Sequence, residues 1–159
     1  MIKLNNPYAG LPGYSCFGCS PANSMGLKME FFTEGDEVLC RWEPGEQFQG
    51  FHDVLHGGVQ ATMMDEIASW VVFVMLDTAG VTYQLTTRFR KPVRISKGTI
   101  TVRATLVRQQ KRIAEIEVRL YDGEGTLCAE SQANYYVMPR DKAVQELHFP
   151  GKEAFFKQD

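Results

Sequence analysis

The residues best suited to chemistry lie close together: a His-Gly-Gly turn at residues 56–58, followed by two carboxylates, Asp65 and Glu66. These carboxylates are the only charged residues in an otherwise apolar, helix-compatible stretch that ends at Leu76. An ionised carboxylate is seldom buried among apolar side chains unless it is paired or has a function. Either carboxylate could instead reach an exposed edge of the helix or pair with an arginine of the following strand, so this feature alone leaves both interpretations open.

The turn before the helix adds a second chemical feature. Glycines at a helix start leave backbone N–H groups free and close to any ligand, and the helix dipole favours negative charge there. Gly57 and Gly58 could therefore hold the oxyanion that develops on a carbonyl under attack. His56 stands directly before them, although a single histidine beside glycines is more often structural than catalytic.

The elements that must position these residues are one helix and several strands. Residues 59–76 are apolar on nearly every side, so we expect a helix that other elements surround. Two short strands precede it, at 27–33 and 37–43. Four longer segments then alternate apolar and polar residues with a period of two, at 82–90, 100–106, 114–120 and 127–137. In the first of these, Leu85 lies on the apolar side and Thr82 on the other. The pattern predicts an α+β fold in which an antiparallel sheet of about six strands wraps around one long central helix.

Composition limits the remaining possibilities. The chain has 159 residues, 44% of them hydrophobic and 23% charged, which suits a single domain over 1–159 with an irregular lead-in at 1–25 and a tail at 140–159. A net charge of −2 shows no electrostatic footprint for nucleic acid. The apolar run at 67–76 is short for a bilayer, so we expect no membrane association and a cytoplasmic location. Cys16 and Cys19 form one C-x-x-C pair without a second ligand pair, so we expect no metal.

The segment LHGGVQATMMDE, residues 55–66, resembles the H-G-G-x(6)-D/E signature of hotdog-fold thioesterases related to the phenylacetate-pathway (PaaI-like) acyl-CoA thioesterases. CFGCSPANSMGLKMEF looks like the lead-in of one branch of these proteins, and TTRFRKPV looks like their third strand. The resemblance covers roughly residues 14–138. It implies the hotdog fold and hydrolysis of a small to medium acyl or aryl coenzyme A thioester, with coenzyme A as part of the substrate and no separate cofactor.

The resemblance also implies roles for individual residues. Asp65 corresponds to the catalytic carboxylate, as base or nucleophile, and Gly57 to the oxyanion donor. His56 is expected to orient or polarise the carbonyl, and Thr82 to help hold the attacking water. Many members carry Asn or Gln six residues before the motif histidine, where this chain has Gly50, so neighbouring Gln49 takes the role only if the loop shifts by one residue.

Substrate binding is predicted at a second group of residues, namely Gly58, Glu66, Arg88, Arg90 and Lys91, where the basic side chains could hold phosphates of coenzyme A. Gly57 and Asp65 lie eight residues apart, which is about 12 Å along one helix. They cannot both contact one thioester, but an antiparallel helix of a second copy could bring its Asp65 opposite this Gly57. We therefore expect a homodimer with composite sites, and the resemblance implies the same, commonly with pairing into a dimer of dimers.

Two other functions remain open at this point. The hotdog fold also serves hydratases and dehydratases that act on acyl thioesters with a histidine and a carboxylate, although the doubled glycine and the spacing favour hydrolysis. A non-catalytic acyl-CoA-binding module is the third possibility. Asp65 argues against it, because a pure binder has no need of a carboxylate among apolar residues.

Overall fold

The computed structural model describes residues 1–157, and it contains the predicted sheet and helix. The strands are β1 (Ile2–Lys3), β2 (Phe31–Glu34), β3 (Glu37–Trp42), β4 (Gly80–Phe89), β5 (Ile100–Gln110), β6 (Ile113–Tyr121) and β7 (Leu127–Val137). The helices are α1 (Gly57–Leu76), α2 (Arg140–Leu147) and α3 (Glu153–Phe156). All strand pairs are antiparallel, in the order β1-β2-β3-β5-β6-β7-β4. This is the predicted hotdog arrangement, with the two-residue β1 as a seventh strand.

Helix α1 lies across one face of the sheet and contacts β3 to β7. By length and composition it could cross a membrane, but its core side, which includes Met63, Met64, Ile67 and Val71, is fully buried against the sheet. The sheet does not enclose it completely. A stripe of small and polar residues remains partly open to solvent: Gly58, Ala61, Thr62, Asp65 and Ser69.

One predicted strand is shorter than expected. The segment 27–33 was expected to be extended throughout, but the strand begins only at Phe31. The backbone of Lys28 has a positive φ of 54°, which is incompatible with a continuous strand. The amides of Leu27 and Met29 donate instead to the carbonyls of Phe17 and Gly18 at 2.8 and 2.9 Å. The lead-in therefore takes the hydrogen bonds that a strand partner would have used.

The C-terminal tail packs on the far end of α1 as two short helices. Phe149 and Phe155 are almost fully buried, and their rings lie 6.1 and 5.0 Å from that of Phe73. Tyr8 of the lead-in joins the same cluster, 6.1 Å from Phe155. The lead-in and the tail thus close the end of the core that the sheet leaves uncovered.

Candidate active site

Helix α1 begins with a side-chain cap that uses one of the two glycine amides. His56 is the N-cap residue, and its Nδ1 accepts a hydrogen bond from the N–H of Gly58 at 2.9 Å. Because Nδ1 accepts, the neutral ring carries its proton on Nε2. Gly57 is the first residue of the helix, and within residues 1–157 no group accepts from its N–H. Gly57 is therefore the free donor of the pair.

The two glycines are needed for different reasons. A Cβ on Gly58 would lie 3.1 Å from the His56 ring and would disturb the cap. A Cβ on Gly57 would meet only the Phe89 ring, at an ordinary 3.7 Å. The contact with His56 thus explains why residue 58 is a glycine. At Gly57 the missing side chain leaves room beside a free amide, which suits a ligand.

Asp65 lies on the partly open stripe of α1, and two hydroxyl groups contact it. Thr82 Oγ1 donates to Asp65 Oδ1 at 2.8 Å, and the Tyr135 hydroxyl lies 2.6 Å from the same oxygen. The Tyr135 hydroxyl also lies 2.7 Å from the backbone carbonyl of Asp65. Both side-chain contacts end on Oδ1, so Oδ2 is available for a substrate or water.

A β-bulge brings Thr82 to this position. The register of β4 against β7 shifts between Thr82, which faces Tyr135, and Gln84, which faces Asn134. The extra residue, Tyr83, lets Thr82 contact the helix although Leu85 also packs towards the core. The predicted strict alternation, with Thr82 on the side away from Leu85, is therefore wrong at this point.

Tyr135 is the site residue that the sequence interpretation missed. It is 2% exposed and belongs to the apolar row of β7. Burial, and next the charge of Asp65, raise the pKa of its hydroxyl far above the ordinary value, so the hydroxyl stays protonated and can donate. The available signal was a tyrosine in a core-facing row, whose polar end needs a buried partner.

The Glu66 side chain does not contact the hydroxyl groups that hold Asp65. Its carboxylate points into the lead-in, with both oxygens 3.5 Å from the Cys16 sulfur and Oε1 3.4 Å from the Trp70 indole nitrogen. Burial is the main reason that the pKa of Glu66 rises to about 7. In the same cluster, a hydrogen bond from Cys19 is the main reason that the pKa of the Cys16 thiol falls to about 5. The two adjacent carboxylates of α1 thus face different parts of the structure: Asp65 faces β4 and β7, and Glu66 faces the lead-in.

Gln49 lies in the loop before α1 and has a structural contact. Its Oε1 accepts from the amide of Asp53 at 2.7 Å, and its backbone forms an isolated bridge with Leu55. The amide of His56 donates to the carbonyl of Phe48 at 3.0 Å. These bonds fold the loop back on itself and fix the position of the His-Gly turn. The side-chain oxygen of Gln49 is therefore already used within the loop.

The three predicted phosphate ligands are exposed on or just after β4. Arg90 is paired with Glu130 at 2.5 Å, and that hydrogen bond is the main reason that the pKa of Arg90 is raised. Arg88 and Lys91 form no ion pair within residues 1–157, so their charges are available to an anion.

A cavity of about 610 Å³ opens beside the same stripe of α1, one helical turn beyond Asp65. Its wall includes Ser69, Trp70 and Phe73 of α1, Tyr8 of the lead-in and Leu147 of the tail. Glu66, Cys16 and Cys19 line it as well. It is large enough for a small to medium apolar group.

Comparisons with known proteins agree on the family. The family model described as "Thioesterase superfamily" matches residues 52–129. A relative named as a putative esterase from Thermoplasma acidophilum is 33% identical over 115 residues, covering 72% of this chain and 85% of the relative.

Solved structures share the fold. A thioesterase from Haemophilus influenzae superposes with a TM-score of 0.67 at 24% identity, covering 76% of this chain and 85% of the other. A protein of Streptococcus mutans bound to acetyl CoA has a TM-score of 0.65 at 16% identity, covering 82% and 98%. The E. coli PaaI protein from the phenylacetic acid degradation operon has a TM-score of 0.64 at 16% identity, covering 72% and 82%.

Proposed function

The chain belongs to the thioesterase superfamily, and from this premise we propose that it is an acyl-CoA thioesterase that hydrolyses a small to medium acyl or aryl coenzyme A thioester. The observation that carries the proposal is the setting of Asp65. Two hydroxyl groups, from Thr82 and Tyr135, hold one carboxylate oxygen and leave the other free. A carboxylate oriented in this way can act as a general base on water or attack the thioester carbon itself.

The oxyanion is assigned to Gly57. Its N–H is free, lies at the positive end of the dipole of α1 and has no side chain in front of it. His56 Nε2–H supplies a second donor that can orient the carbonyl. In the proposed reaction, water adds to the thioester carbon and one of its protons passes to Asp65. The carbon–sulfur bond then breaks, the leaving sulfur takes up the proton from Asp65, and coenzyme A and the free acid are released. The reaction draws on no separate cofactor.

The complete site requires two subunits. Gly57 and Asp65 are the first and ninth residues of one straight helix, about 12 Å apart. One edge of β4 is unpaired within residues 1–157, and its side chains Val81, Tyr83 and Phe89 are more than half exposed. A second copy that covers this edge and the open stripe of α1 would place its Asp65 opposite this Gly57. We therefore propose a homodimer, or a dimer of dimers, with composite sites.

The surroundings of the site fit the two ends of the substrate. The free cations Arg88 and Lys91 suit the coenzyme's phosphates. The cavity beyond Asp65 suits the acyl group, since Trp70, Phe73 and Tyr8 line it. The structural relative from Streptococcus mutans was solved with acetyl CoA, which supports a coenzyme A thioester as the substrate class. We propose a cytoplasmic location for this activity.

The test is release of free thiol from a panel of saturated acyl, aryl and hydroxyacyl coenzyme A thioesters. We expect turnover by the wild type and almost none by Asp65→Asn. The matched control is Glu117→Gln, an exposed carboxylate of β6 outside the site and the cavity, which should keep its activity within a few-fold. No thiol release from any thioester would refute the proposal, and binding without release would point to an acyl-CoA-binding module. Dehydration of a hydroxyacyl thioester without release of thiol would identify a dehydratase.

A further inference from the structure

The lead-in holds a cluster of ligand-type side chains that the proposed hydrolysis does not use. Cys16 Sγ, Cys19 Sγ and a carboxylate oxygen of Glu66 all lie within 4.8 Å of one another. The C-x-x-C pair comes from the irregular lead-in and the glutamate from α1, so only folding brings the third group to the other two. The sequence expectation of no metal was based on the missing second ligand pair.

The distance between Cys16 and Glu66 is that of two ligands around one tetrahedral ion. With zinc–sulfur and zinc–oxygen bonds of about 2.3 and 2.0 Å, two such ligands stand about 3.5 Å apart. Both carboxylate oxygens of Glu66 lie 3.5 Å from Cys16 Sγ.

Glu66 has no cationic side chain beside it within residues 1–157. Its side-chain contacts come from the Cys16 thiol and the Trp70 indole, neither of them positively charged. A carboxylate enclosed without a cation either keeps a proton or coordinates a metal. A metal ion would take the place of that proton.

The chain between the cysteines is shaped to fit the carboxylate. A Cβ on Gly18 would lie 2.6 Å from the Cγ, Cδ and Oε2 atoms of Glu66. Only glycine at this position lets Glu66 approach the C-x-x-C loop so closely. The backbone is therefore fitted to hold these three side chains together.

Further donors surround the sulfurs. Asn6 Nδ2 donates to Cys19 Sγ at 3.6 Å, and the Tyr14 hydroxyl lies 3.0 Å from the same atom. The amides of Gly18 and Cys19 face the Cys16 sulfur. A thiol sulfur is a weak acceptor, whereas a thiolate ligand is stabilised by such outer donors.

We propose that Cys16, Cys19 and Glu66 bind one zinc ion, with its fourth position open to the cavity beside α1. Two thiolates select a soft or borderline metal over magnesium or calcium, and three protein ligands with one open position are a known zinc arrangement. Both thiol protons leave to solvent on binding, and a water from the cavity completes the tetrahedron. The ion ties the lead-in to α1 next to Asp65, whose carboxylate faces β4 instead.

The test is metal content and affinity of the full chain. Protein purified under reducing conditions without chelator, stripped and then reloaded, should take up one zinc per chain. Cobalt(II) in place of zinc should give a thiolate-to-metal charge-transfer band. Cys16→Ser and Glu66→Gln should each weaken zinc binding by at least about 100-fold, and Tyr14→Phe by about 10–100-fold. The matched control is Cys128→Ala, a buried cysteine outside the cluster, which should bind zinc as the wild type does.

Folding of each variant is checked by circular dichroism and by the melting temperature without metal. Added zinc should raise that temperature in the wild type and Cys128→Ala but not in Glu66→Gln. Substoichiometric zinc after reloading, cobalt binding without a thiolate band, or unchanged affinity in folded Cys16→Ser would each overturn the proposal. None of these readouts depends on thioesterase activity.

Discussion

Replacing Gly57 by proline would remove a single hydrogen from the proposed oxyanion hole with little change to the fold. Gly57 is the first residue of α1, the helical position where proline is favoured because that N–H has no intrahelical acceptor. His56 before it has φ −57° and ψ 132°, which a residue preceding proline readily adopts. The nearest atoms to a new Cβ belong to the Phe89 ring, at 3.7 Å.

The expected loss follows from the number of free donors. Gly58 N–H is bonded to His56 at 2.9 Å, so Gly57 N–H is the one backbone donor left in the turn. Removing one oxyanion donor typically lowers kcat by about 10²–10³, or about 2.7–4 kcal/mol. Since this bond strengthens only as charge develops on the oxygen, KM should change by no more than a few-fold.

The assay is thiol release under saturating acyl-CoA, with Gly57→Ala as the matched control. Alanine adds a similar Cβ but keeps the N–H, so both variants share any cost of filling the space beside the amide, and the larger loss in the proline variant measures the missing hydrogen. The melting temperature of Gly57→Pro should equal or exceed that of the wild type, because proline restricts the unfolded chain. A folded Gly57→Pro enzyme with near wild-type kcat, or an alanine variant that loses as much as the proline variant, would refute the assignment.

Three further predictions concern the composite sites, Tyr135 and the carboxyl of Asp122. Asp65→Asn and Gly57→Pro chains, mixed in equal amounts and refolded together, should regain about a quarter of wild-type activity. Half of the dimers are then mixed, and one of the two sites in each mixed dimer is intact. No recovery would contradict composite sites. Tyr135→Phe should lower kcat by about tenfold or more, because a hydrogen bond to a charged group is worth about 1.5–3 kcal/mol, while Thr82 keeps Asp65 in place; unchanged kinetics would remove Tyr135 from the site. At Asp122, burial raises the pKa of the carboxyl, but hydrogen bonds from Thr126, Lys97 and Glu124 outweigh burial and hold that pKa below the usual range. The ionised carboxyl therefore stabilises the folded chain at pH values above the pKa it has in the unfolded chain. This stabilisation is lost as the pH falls through the lower pKa of the folded chain. Melting temperatures measured from pH 7 to 2 should therefore fall less steeply in Asp122→Asn, and parallel curves would contradict this role.

The sequence predicted the parts of the fold that have a strong period. The four long strands lie where their alternation placed them, α1 lies where the continuous apolar stretch placed it, and the family matches confirm the resemblance carried by residues 55–66. The short strand before β3 was predicted too long, because propensity does not reveal that Lys28 adopts a positive φ. That conformation is set by the lead-in, which competes for the same backbone amides.

Site residues that are close together in the sequence were predicted better than contacts between distant segments. Thr82 was placed beside Asp65 only through the resemblance, since its position in the alternation pointed it the other way. The bulge at Tyr83 reverses that direction, and a bulge depends on the pairing of two strands rather than on either alone. Tyr135 was missed for the same reason: its hydroxyl meets Asp65 only once β4, β7 and α1 are assembled. Glu66 was predicted to bind substrate and lines the cavity proposed for the acyl group, and its side-chain partner Cys16 comes from a loop fifty residues earlier, which the sequence did not reveal.

The open edge of β4 has a consequence for the life of the newly made chain. Ten residues of strand, with aromatic and aliphatic side chains exposed and no proline or lysine among them, form a template that other strands can extend. In the proposed dimer a second subunit covers this edge, so we expect the unpaired monomer to be more prone to aggregate than the dimer. A substitution that weakens pairing at β4 should therefore lower activity and increase aggregation together.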